Sequence, residues 1–86
     1  MIGYRDKAGR IIFVDSGLRG DTFGTFWRNP KTGGKHRVSS PALPMRDNRT
    51  EAEVNLFKYG LRNKLERVEV DDRGQVIQEP PNPPAR

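Results

Sequence analysis

Four consecutive apolar residues, Ile11-Ile12-Phe13-Val14, leave few options to a chain of 86 residues. The run is β-branched and aromatic, and it follows Asp6-Lys7-Ala8-Gly9. There the aspartate suits the first position of a type I turn, and the glycine suits the left-handed position that closes a bulged loop. A strand without polar alternation reads as a central one, or as one covered on both faces. The same turn returns near the other end as Asp71-Asp72-Arg73-Gly74, with Ile77 standing three residues beyond its glycine as Ile12 does beyond Gly9.

Between these turns the chain alternates strand and loop signals. Ser16 to Asp21 holds two glycines and reads as a loop. Thr22 to Arg28 reads as an aromatic strand, with Phe23, Thr25 and Trp27 on one face and Phe26 and Arg28 on the other. Asn29-Pro30 initiates a turn and Gly33-Gly34 permits positive φ, so Phe26 to Val38 reads as the tip and shoulders of a long hairpin. Pro41 and Pro44 end it.

Thr50 and Glu53 have the spacing of a capping box, and Val54, Phe57, Leu61 and Leu65 then recur at three and four residues as one apolar stripe. Glu51, Asn55, Lys58 and Arg62 are expected on the solvent side. Gly60 costs a helix about 1 kcal/mol against alanine, which predicts close approach to a bulky neighbour such as Phe13 or Trp27. Val68 to Ile77 reads as a final hairpin or strand. The expected fold is α+β: three or four antiparallel strands with one amphipathic helix on one face, forming a single domain over residues 1–78. Residues 79–86 hold four prolines and read as a disordered or polyproline-like tail.

With no cysteine, neither disulfides nor thiolate metal sites are available, and so short a chain has little room for a deep catalytic cleft. His36 is the sole histidine, and no acid lies within ten residues of it in sequence to orient the ring. Asp71 and Asp72 break the calcium-loop pattern, and Gly33-Gly34-Lys35 lacks the spacing of a phosphate loop. No enzymatic activity, metal or cofactor is expected. The first residues lack the apolar run of a signal peptide, and no segment approaches the roughly 20 apolar residues of a membrane span. A cytoplasmic protein without membrane partners is expected.

The formal net charge is +5, and its distribution is uneven. Thr22 to Thr50 holds six cations (Arg28, Lys31, Lys35, Arg37, Arg46 and Arg49) and one acid, Asp47, a net of +5; elsewhere ten cations meet ten acids. With His36 and the neighbouring aromatics, this block reads as a nucleic-acid-binding surface, its basic two-stranded ribbon sized for the DNA major groove. DNA is favoured over RNA. The alternative is a protein-binding accessory or inhibitor, of the kind that phages and mobile elements encode, docking its basic block on an acidic surface. The oligomeric state stays open.

In order of elements, the stretches FWRNPKTGGKHRV and SPALPMRDNRTEAEVNLF resemble the three-strand-plus-helix DNA-binding domains of a plant transcription-factor family and the arm-binding domains of tyrosine integrases. The resemblance covers residues 4 to 65. It implies that the basic hairpin does the reading and that the helix follows from its strand end and loop.

Overall fold

The computed structural model describes residues 1–77. Five strands, β1 (Ile2–Arg5), β2 (Ile11–Ser16), β3 (Phe23–Arg28), β4 (Lys35–Arg37) and β5 (Glu66–Glu69), form one antiparallel sheet in the order β4-β3-β2-β1-β5. A single helix, α1 (Arg49–Asn63), makes the fold α+β. The sheet has one or two strands more than expected: the expected hairpin shoulder forms one edge as Lys35–Arg37, and the other edge is Glu66–Glu69, which begins upstream of the expected Val68–Ile77 segment. The apolar run lies on β2, at the centre.

Both faces of β2 are covered. On one, Tyr4, Ile12, Val14, Leu43, Ala52 and Leu56 form a core with Phe23, Trp27 and Tyr59 at its margin. On the other, Phe13 and Phe26 pack with Val70, flanked by Ile11, Met45 and Val68. Phe13 is fully buried, a contribution of roughly 2–3 kcal/mol. Its cover is the turn after β5: Val70 bridges Val76, and the turn between them carries Gly74 onto the Phe13 ring. The aspartate-glycine turns form as expected. Asp6 Oδ1 accepts from the amides of Ala8 and Arg10, Asp71 Oδ1 accepts from those of Arg73 and Gln75, and Gly9 and Gly74 sit at φ +85° and +79°.

The helix departs from expectation in three ways. Its N-cap is Asn48 rather than Thr50: Asn48 has extended backbone, its side-chain Oδ1 accepts from the Glu51 backbone amide at 2.8 Å, and its side-chain Nδ2 donates to Glu51 Oε2 at 2.7 Å. The cap thus lies two residues upstream, where the chain leaves the loop, and Glu51 holds the capping side chain rather than the Asn48 backbone amide of a capping box. The buried stripe is Ala52, Leu56 and Gly60, and Val54, Phe57 and Leu61 face solvent. Gly60 meets Tyr4, where a Cβ would lie 2.6–2.9 Å from three ring atoms. Glycine takes the inner face at position 60 because Tyr4 rises from β1 beneath the helix and leaves no room there for a side chain. The proline-rich stretch assigned to a tail lies outside the described residues.

Candidate nucleic-acid interface

The central charge block does not survive folding as a block. Lys35 Nζ sits 3.3 Å from Asp15 Oδ2, donates to the Ser16 carbonyl at 3.0 Å and lies over the Phe26 ring. Arg46 pairs with Glu51, holding that carboxyl below its ordinary pKa with help from the Asn48 amide. Arg49 donates to the Val14 carbonyl at 3.3 Å, lies over Phe23 and stands 3.9 Å from Glu53. Three of the six cations therefore meet acids from outside the block. Arg46 and Arg49 also lie far from the hairpin tip, tying the loop and helix start to the opposite end of the sheet.

Arg28 has a different task. Its Nη1 donates to the Gly33 carbonyl at 2.7 Å and its Nε to the Arg73 carbonyl at 2.8 Å, so one guanidinium staples the β3–β4 turn to the turn after β5. Lys31, in the tip, and Arg37, opposite Phe26 on the edge strand, are exposed and form no ion pair among the described residues. His36 stacks on Trp27 with ring centroids 4.8 Å apart, and Arg10, itself bonded to Asp6, lies 5.2 Å from the Trp27 centroid. Trp27 is therefore only half-buried, with its ring shared between core and surface.

The fold brings together turns that sequence distance separates. Three turns converge at one end of the sheet, closed by Gly9, Gly33 and Gly74, each with positive φ. Ala8 and Gly9 from the first, Pro30 and Gly33 from the second, and Gly74 and Gln75 from the third line a cleft of about 530 Å³ over Ile11, Trp27 and Val76. Each turn carries one exposed cation, respectively Lys7, Lys31 and Arg73, outside any ion pair among the described residues. With Arg10 and Arg28 at the adjoining strand ends, five cations belong to these turns against Asp6, Asp71 and Asp72, a net of +2, whereas the Lys35 ammonium reaches away to Asp15 and Ser16 at the other end of β2. No window along the chain marks Lys7 or Arg73, since each stands beside acids in sequence; the recurrence of the aspartate-glycine turn is the one signal that groups them.

Two features differ from the hairpin expected. β4 has only three residues and belongs to the sheet edge, so no long ribbon protrudes. The face opposite the helix carries the second core and its covering turn, so it offers no bare sheet to a groove. Among the described residues no three His, Asp or Glu side chains gather as a metal ion would require, and no helix is long and apolar enough to cross a membrane. No family model, curated protein or solved structure matches the chain.

Proposed function

We propose that this chain is a small binding module that engages nucleic acid, DNA in preference to RNA, through the basic end of its sheet. The observation that carries the reading is the convergence around one cleft of three glycine-closed turns, each with an exposed cation outside any ion pair among the described residues. Turns of this kind hold backbone amides and long cationic side chains at a narrow tip, which suits phosphate contact. Such a tip enters the wide major groove of B-form DNA and is excluded from the deep, narrow one of A-form RNA. In this reading Lys7, Lys31, Arg37 and Arg73 contact phosphates. Arg28 positions two of the turns, while Lys35, Arg46 and Arg49 serve the fold.

Fluorescence anisotropy against labelled duplex DNA, duplex RNA and single strands, across a salt series, tests it. Each neutralised phosphate contributes about 0.9 to the slope of log affinity on log salt for B-DNA. Replacing Lys7, Lys31, Arg37 and Arg73 together with alanine is expected to flatten that slope by roughly 3 and to weaken binding at least tenfold, with little change in melting temperature. Arg19→Ala, in the turn at the far end of the sheet, is expected to leave binding as it is. Absence of binding at low salt, or equal binding by the quadruple variant, would overturn the reading and direct attention to an acidic protein partner.

A further inference from the structure

The outer face of α1 is the second surface without an evident task. Val54, Phe57 and Leu61 are 44%, 50% and 63% exposed, and their spacing puts them on one stripe of the helix. Single exposed apolar residues are ordinary; a stripe that continues into an apolar groove marks an interaction surface. Here the groove, about 400 Å³, runs between α1 and the β1–β5 side of the sheet, lined by Ile2, Tyr4, Glu53, Leu56, Phe57 and Arg67. Phe57 belongs to both stripe and groove, so the two form one surface.

Charge along α1 indicates what covers it. Arg49, Glu51 and Glu53 give the N-terminal half a net charge of −1, with Glu51 also paired to Arg46 and Glu53 standing 3.9 Å from Arg49, and Lys58, Arg62 and Lys64 lie at the C-terminal half and cap. None of these three cations pairs with an acid among the described residues. A second α1 laid antiparallel across the stripe sets each acidic half against a basic half and opposes the two helix dipoles, whereas a parallel one aligns like charges. Phe57, near mid-helix, then falls beside the two-fold axis, as an isologous interface requires. We propose that this chain forms a homodimer in which two α1 helices pack antiparallel through Val54, Phe57 and Leu61, with an apolar centre between rims of complementary charge. This inference is independent of the nucleic-acid reading. The C-terminal half of α1 lies beside the β1–β2 turn, where Tyr59 and Asn63 share a shallow hollow with Asp6, Lys7 and Arg10. The antiparallel arrangement therefore directs the two basic ends outward, at opposite extremes of the dimer.

The patch is small for a stable complex, so a dissociation constant on the order of micromolar or weaker is expected. Sedimentation equilibrium of the purified chain over a wide concentration range, at low and high salt, reads it directly. Phe57→Glu with Leu61→Glu is expected to weaken association at least about 30-fold while the circular dichroism melt stays cooperative. Two charge variants supply a sharper test: Glu53→Lys makes both halves of the helix basic, and Lys58→Glu with Arg62→Glu makes both acidic. Each is expected to be monomeric alone, and an equimolar mixture is expected to associate, because each basic half then meets an acidic one. The proposal is overturned if the wild-type chain stays monomeric throughout, if the Phe57 and Leu61 double variant dimerises normally, or if the mixture fails to associate.

Discussion

The sheet is covered by a 15-residue helix on one face and by little more than a single turn on the other. Despite that difference in bulk, both covers use one device: a glycine lets backbone settle on an aromatic ring, Gly60 on Tyr4 and Gly74 on Phe13. The constraints on the two glycines are unequal. Gly60 has helical backbone open to any residue, so only space forbids a side chain there. Gly74 combines φ +79° with a Cβ position that overlaps the buried Phe13 ring, so conformation and space both forbid one. A short cover has few residues at which to be fixed. A helix spreads the same task over Ala52, Leu56 and Gly60.

The largest effect should follow from Gly74→Ala. Left-handed backbone costs roughly 1–2 kcal/mol and overpacking roughly 1–3 kcal/mol, so a loss of about 2–5 kcal/mol is expected by urea unfolding, with Phe13 exposed as the turn lifts. Gly60→Ala should cost less, because about 1 kcal/mol of helix propensity offsets an overpacking cost of roughly 1–3 kcal/mol against Tyr4. Adding Tyr4→Leu to each variant sharpens the contrast. It should restore part of the loss in Gly60→Ala and none in Gly74→Ala. Equal costs for the two alanine variants would break the comparison.

How much of this was legible in sequence follows the range of the forces involved. The turns at Asp6–Gly9 and Asp71–Gly74 and the strand at Ile11–Val14 were readable because their causes are local: an aspartate bonding amides two and four residues on, a glycine at positive φ, and a β-branched run. The face of α1 was not readable. Val54, Phe57 and Leu61 make a stronger apolar stripe than Ala52, Leu56 and Gly60, yet the latter turn inward, and the glycine at position 60 answers to the height of Tyr4, some fifty residues away. Charge misled for a related reason. Lys35 has no acid near it in sequence, yet β2 brings Asp15 to it, while Lys7 and Arg73 stand beside acids in sequence and are exposed without an ion pair among the described residues.

Each cover is also held at its start by one carboxylate. Glu51 holds the N-cap side chain of α1, and hydrogen bonds from Arg46 and then Asn48 lower its pKa. Asp71 fixes the covering turn, and the Gln75 amide foremost, with Arg73, lowers its pKa. A depressed carboxyl contributes stability that is fully present above its unfolded value, about 4.3 for Glu and 3.9 for Asp, and that is lost as pH falls through the folded value. Melting temperature should therefore hold above that range and decline below it. Asn48→Ala should cost about 1 kcal/mol of stability at neutral pH and move the Glu51 carboxyl back toward its ordinary value, read by carbon NMR titration, with Asp71 unmoved. Asp71→Asn should have the smallest effect at pH 7, since the amide oxygen can accept the same two backbone bonds, yet it should remove the share of the acid-side decline that belongs to the turn. If Asn48→Ala shifted both carboxyls, the two covers would be one coupled unit; independent titration would make them two devices fastened separately to a common sheet.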